Sequence, residues 1–317
     1  MVIACGSKEA ALRAANALSG GVDADSMGAK PTEPHNYPMR EPGDLVESSA
    51  AVISPALPDV VFTINDSGND PVLFAMDTSG NLRGRWKIDG ASNKDWEAAS
   101  RGPCTSVAPA TTATAYCLFI GDVGDNGAVR KVVTLYQLAE PLLSDGKTAG
   151  SIAATRLSFR YPDFPHDVEA MYVGADRTTY LITKRPLKDG SGALRRSLVF
   201  AIPASAWLQR DTVVATLVDS LAIVPGSSAW RSITDASLSS DSRLLAVRTY
   251  GQVYVFATDS LTGRVLNAIP PTICNIEGVE TKRGEGVTWT GNNTQLLLTN
   301  EGRNAPMHRI TCPLPQR

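Results

Sequence analysis

From residue 47 onward, short apolar runs alternate with clusters of Gly, Asn, Asp, Ser and Pro, the pattern of strands separated by turns. DVVFTIND is followed by the turn-rich SGNDP and then by VLFAMDTSGNLRGRWKI, in which Asp-Thr-Ser-Gly-Asn parts two β-prone stretches. YCLFIGD, TTYLITKR, RLLAVRTY and QLLLTNEG read as second strands of further units, and VVTLYQL, SLVFAI, QVYVFAT and MHRITC as third strands. TRLSFRY, VVATLVDSL and a weaker CNIEGVETK are the candidate fourth strands. Ahead of them, KEAALRAANAL has the spacing of a short helix, and the Gly-, Pro- and charge-rich stretch after it has neither hydrophobic period. The chain divides at this change of pattern: residues 1–44 form a leader and tether, and residues 45–317 one β domain.

Within that domain an acidic residue five times opens a run of small and apolar residues: ESSAAVIS from Glu47, EAAS from Glu97, EAMYV from Glu169, DASLS from Asp235 and EGVTW from Glu285. The intervals of 50, 72, 66 and 50 residues fit one four-stranded antiparallel propeller blade each, with loops of varying length. The expected fold is an all-β β-propeller; five blades are favoured, and six are the alternative, the longer second and third repeats having room for another. A β-sandwich shares the short strands but not the recurrent acid. The fifth repeat lacks a fourth strand, so either part of residues 36–46 completes it or this blade is short an outer strand.

In such a fold the first strand of every blade lines the central channel, so Glu47, Glu97, Glu169, Asp235 and Glu285 are expected to form a ring near one mouth. Second-strand ends bring Asn65, Asp66, Asp122, Lys184, Arg185, Arg248, Asn300 and Glu301 towards the same region. Lys184, Arg185 and Arg248 either neutralise the acids as a structural network or leave a funnel that takes calcium or a polar ligand. GDVGDNG presents Asp122, Asp125 and Asn126 as hard oxygen donors for calcium, against the simpler role of a turn. Trp96 and Trp289 are expected to pack between sheets, with sugar stacking as the lesser role, and His166 to be hydrogen-bonded rather than catalytic.

The net charge of −2 offers no field for nucleic acid, and no apolar run approaches the roughly 18 residues of a membrane-spanning helix. Cys104, Cys117, Cys274 and Cys312 suffice for two disulfides, Cys104 to Cys117 within one hairpin-like loop and Cys274 to Cys312 pinning the last strand to its neighbour, which implies an oxidising compartment. Cys5 stands apart. Val2-Ile3-Ala4-Cys5 resembles the lipobox of bacterial lipoproteins, which implies lipidation of Cys5 and a start of the natural chain further upstream, since a signal peptide needs more than the residues before it.

There is no GxSxG elbow, P-loop, Rossmann fingerprint, CxxC or close histidine pair. At NDSGNDP, DWEAAS, GDVGDN, DVEAMYV, TKR, AVRTY, GEGVTW and TNEG, the sequence resembles a group of secreted bacterial propeller proteins of uncharacterised function, over roughly residues 45 to 312. Ala98 departs from the acid expected there after DWE, which weakens a metal held by consecutive acids. The resemblance implies architecture, not an activity. The expected function is a lipid-anchored extracytoplasmic binding or scaffold module that uses its funnel mouth or loop face for a protein or polar small molecule. The alternatives are a calcium-dependent hydrolase of phosphoester or glycosidic substrates at the acidic funnel, and a structural subunit of a surface assembly.

Overall fold

The computed structural model describes residues 44–54, 56–105, 116–141, 143, 149–184, 196–223, 231–276 and 284–316, together with the backbone of a strand at Thr32–Pro38. The predicted helix at residues 8–18, Cys5 and Arg185 lie outside the described residues.

The first run of strands is β2 (Val52–Ile53), β3 (Val60–Ile64), β4 (Val72–Asp77) and β5 (Leu82–Asp89). The second is β6 (Trp96–Pro103), β7 (Tyr116–Asp122), β8 (Val133–Ala139) and β9 (Ala149–Arg160). The third comprises β10 (Val168–Val173), β11 (Thr179–Thr183), β12 (Leu198–Ile202) and β14 (Thr216–Ser220), with the two-residue β13 (Val213–Val214) lying parallel to β9. The fourth is β15 (Ile233–Leu238), β16 (Leu244–Thr249), β17 (Gln252–Ala257) and β18 (Thr272–Asn275). The fifth takes β19 (Gly284–Trp289), β20 (Leu296–Asn300), β21 (Pro306–Thr311) and, from the other end of the chain, β1 (Thr32–Pro38). Each run is antiparallel throughout.

β1 pairs with β21 and supplies the missing outer strand, so the closing segment begins in the leader and overlaps only the start of the expected 36–46 stretch. VVATLVDSL is split, its first residues joining β9 and the rest forming β14. The fourth strand of the fourth run begins two residues before the expected CNIEGVETK and covers only its Cys274 and Asn275, since β18 ends there. β9 is long enough to pair with β8 over its second half and, in parallel, with β5 over its first, which covers the outer edge of the first run.

Consecutive runs pack face to face, and this is why most strands are apolar on both sides. Phe62, Trp86, Leu118 and Tyr136 share one interface between the first two runs. Phe119, Phe159, Met171 and Phe200 fill the next, Tyr172, Ile182, Leu245 and Phe256 the third, and Val255, Val287, Leu298 and Ile310 the fourth. Ile53, Val61, Leu297 and Met307 close the circle between the fifth run and the first. The innermost strands β2, β6, β10, β15 and β19 accordingly pack on one another around an axis. This is a β-propeller, nearly all-β, with a short 3-10 turn at Ala204–Leu208. No helix among the described residues is long and apolar enough to cross a membrane.

Both expected disulfides form. Cys104–Cys117 ties β6 to β7 with Cα atoms 4.9 Å apart, and Cys274–Cys312 joins β18 to the chain just beyond β21 at 5.5 Å. Two disulfides suggest folding in an oxidising, extracytoplasmic environment.

Candidate functional site at the channel mouth

All five inner strands carry the same irregularity. The register of β6 on β7 shifts between Trp96 and Ala98, that of β10 on β11 between Val168 and Ala170, and that of β15 on β16 between Ile233 and Asp235. On β19 the shift lies between Gly284 and Val287, and on the first run it lies between the Ser48–Asn65 bridge and the Val52–Phe62 pair. A bulge of this kind sets one extra residue against the partner strand and re-aims its side chain. The residues so placed are Ser49, Glu97, Glu169, Thr234 and Glu285.

The inner ring therefore holds three carboxyls and two hydroxyls, where the sequence pattern suggested five acids. Glu47 lies before the bulge, partly exposed, and accepts a hydrogen bond from Asn69 Nδ2 at 3.0 Å. Asp235 lies just after it and points into the wall. Its oxygens accept N–H groups of Val287 at 2.8 Å, Ala236 at 2.8 Å and Ala51 at 3.3 Å, a purely structural use. Arg248 is likewise inside the wall, fully buried, donating to the carbonyls of Gly286 and Thr299 at 2.6 Å each and to Asn300 Oδ1 at 3.1 Å. Gly286 is required beside it, since a Cβ there would stand 2.3 Å from Thr299 Oγ1 and 2.8 Å from Ala51 N.

The three ring carboxyls are all buried and differently partnered. Glu97 accepts from Ser49 Oγ at 2.9 Å. Glu169 forms an ion pair with Lys184 Nζ at 2.6 Å. Glu285 accepts from the Tyr250 hydroxyl at 2.9 Å, while its second oxygen is buried and has no hydrogen-bond partner among the described residues. Lys184 thus serves the neutralising role expected of the second-strand cations, and Glu301 acts on Glu285 and Tyr250 through its charge.

Towards the rim, Asp66 and Asp95 join Glu97, with one ligand oxygen from each lying within 4.8 Å of the others. Local structure builds this cluster. Asn93 Nδ2 donates to the Asp66 carbonyl at 2.7 Å, and the Asp95 carbonyl accepts N–H groups of Val123 and Gly124 at 3.1 Å each. Gly124 is there because a Cβ would come within 2.6 Å of both Asp95 and Glu97. Asp95 was not among the acids singled out by the repeat, although Asp-Trp-Glu places it two residues before Glu97, on the same side of an extended chain.

The expected calcium turn is occupied otherwise. Asp122 pairs with Arg130 at 2.6 Å and accepts the Asp95 N–H, Asp125 accepts the Arg130 N–H at 2.6 Å, and Asn126 faces solvent. These oxygens hold the turn that in turn holds Asp95. Trp96 is fully buried against Tyr136 and donates to the Ser92 carbonyl, and Trp289 donates to the Ser237 carbonyl, so both pack between elements. His166 is buried among Tyr161, Phe164 and Phe200 and bonded to Asp163 at 3.0 Å.

Crowding shifts the acids. Burial pushes Asp95 up to about 6, with Asp66 adding to it and Arg130 opposing. Burial raises Glu97 well above the usual range, reinforced by Glu169 and Asp66. Burial also pushes Glu285 up to about 8, with Glu169 and Glu301 contributing. Burial raises Glu169 against the pull of Lys184, and burial of Lys184 is outweighed by Glu169, which holds its ammonium at about 12. A carboxyl raised from 4.5 to about 8 binds more protons folded than unfolded, so its contribution is present below 4.5 and is lost as pH rises through 8. Glu285→Gln keeps an acceptor for Tyr250 and should stabilise the protein by about 1 kcal/mol or more at pH 8, with little change near pH 4.5. Urea denaturation across that range checks this; equal effects at both ends refute it.

No protein-family profile and no curated protein matches this chain. Among solved structures, the glutaminyl cyclase of Myxococcus xanthus is similar at 9% identity and a TM-score of 0.46, covering 87% of this chain and 95% of that one. The β-propeller domain of Cps50 (Swd1) from Myceliophteria thermophila is similar at 11% identity and a TM-score of 0.41, covering 90% of this chain and 99% of that domain. Likenesses this distant say nothing of chemistry here.

Proposed function

We propose that this propeller is a binding module whose site is the acid-lined mouth of its channel, and that calcium held by Asp66, Asp95 and Glu97 takes part in recognising a polar ligand. The convergence of three carboxyl oxygens within 4.8 Å carries the reading. The donors are hard oxygens, the type calcium prefers, and a cation would offset the burial, and with it the mutual repulsion, that raise Asp95 and Glu97. Bound there, calcium would supply a positive centre for an anionic or hydroxyl-rich ligand, while Lys184 and Tyr250 line the adjacent depth of the channel. The disulfides and the Val2-Ile3-Ala4-Cys5 pattern support an extracytoplasmic protein tethered through a lipid on Cys5.

Isothermal titration with calcium chloride tests this. The native protein is expected to bind one ion, and Asp95→Asn with Glu97→Gln to weaken binding by about a hundredfold or more. Absence of calcium-specific heat from the native protein, or equal binding by the double variant, would overturn the reading. Glu169, paired with Lys184, and Glu285, bonded to Tyr250, are both pushed up to about 8 and favour a second reading: a calcium-dependent hydrolase of phosphoester or glycosidic substrates. Turnover of nitrophenyl phosphate or glycosides that is lost in Glu169→Gln would favour the enzyme, and calcium uptake without turnover the binding module.

A further inference from the structure

At the end of β6 opposite Glu97, Arg101 lines a cavity of about 40 Å³ together with Tyr116, Val173, Ser239, Ser240 and Ser242. Its guanidinium carbon stands 5.7 Å from the centroid of the Tyr116 ring. Among the described residues its guanidinium makes no hydrogen bond and no ion pair; Glu140 acts on it through its charge without contact. One oxygen of Glu140 is instead taken by the Ser54 hydroxyl. Asp241, between the lining residues Ser240 and Ser242, is engaged by Ser239 Oγ at 2.6 Å and by the Arg243 N–H at 3.2 Å. Burial pushes the Arg101 guanidinium down, yet an arginine stays charged under any ordinary condition. A partly desolvated cation with five donors and no acceptor is an unusual thing to hold in a wall. It is stabilised when an anion with two oxygens in one plane meets its fork.

We propose that Arg101 marks a second binding site, at the far mouth of the channel, for a small oxyanion such as a carboxylate or phosphate group. Tyr116 holds the guanidinium plane on one side, and Ser242 supplies a hydroxyl on the cavity wall. Access is from solvent past Tyr116 and Ser240, both exposed. The cavity admits one small group, so the rest of a larger ligand would lie outside, across the loops of the second and fourth runs. This site does not depend on the calcium reading, because Arg101 lies about 13 Å along β6 from Glu97.

The test is isothermal titration of the full chain with sodium phosphate and, separately, sodium acetate, each against sodium chloride at the same ionic strength. Saturable binding of either anion is expected, with phosphate or acetate preference showing whether the site takes an inorganic anion or a carboxylate. Arg101→Gln is expected to weaken it by about tenfold or more. If Arg101→Gln does not melt cooperatively, Arg101→Lys replaces it, retaining charge but not the fork, with several-fold weaker binding expected. No binding beyond chloride, or unchanged affinity in the folded variant, overturns the proposal.

Discussion

Arg248→Met should cost the protein about 3 to 5 kcal/mol, seen as a fall of roughly 10 °C in melting temperature. The guanidinium is fully buried and joins two inner-strand runs, since it leaves β16 and donates to the Gly286 carbonyl of β19 and to Thr299 and Asn300 of β20. Methionine fills much of the volume but leaves those acceptors dry and unpaired. It also removes the charge that helps Asp235, buried and raised well above its usual range, to ionise. Because Asp235 fastens Ala51 of the first run and Val287 of the fifth, damage should spread to closure of the ring. Urea denaturation with tryptophan fluorescence measures this, and a loss below about 1 kcal/mol would show that the wall does not rely on the pair.

The Cys274–Cys312 bridge should matter nearly as much. It closes a loop of 38 residues, for which the chain-entropy relation gives about 4 kcal/mol. It also lies inside an apolar interface with Ile276, Val287 and Ile310, where the fourth run meets the fifth. The fifth run is completed from the other end of the chain by β1, so it is the point at which the ring must be held shut. Cys274→Ala with Cys312→Ala is expected to lower stability by that amount. Reduction of the native protein should cost this amount together with the contribution of Cys104–Cys117, whereas reduction of the double variant should cost only the latter. The Cys104–Cys117 bridge lies within one run over 13 residues and should contribute about 3 kcal/mol without bearing on closure.

The strands, both disulfides and the circular repeat were legible because they rest on local chemistry. Alternation of apolar residues, turn formers such as Asp77 to Asn81 and the isolation of four cysteines from Cys5 are properties of short stretches. YCLFIGD coincides with β7, Tyr116–Asp122, for this reason. Completion of the last run from the N-terminal side followed from counting strands, although the segment used, Thr32–Pro38, mostly precedes the one expected.

The composition of the ring was not legible, and the reason is a single residue of register. Acids at Glu97, Glu169 and Glu285 fall on the bulge and turn into the channel. Asp235 falls one place later and turns into the wall, leaving Thr234 in the equivalent position with its hydroxyl bonded to the Glu285 carbonyl. Glu47 falls before the bulge, and Ser49 stands in its stead. Side-chain direction along a strand reverses at every residue, so the position of the bulge decides which residues face the axis, and that position is set by pairing with the neighbouring strand. The chain's own pattern was enough to specify repeated sheets around an axis; the identity of the groups meeting there, and the joining of Asp66 and Asp95 to Glu97, depended on contacts between segments far apart in sequence.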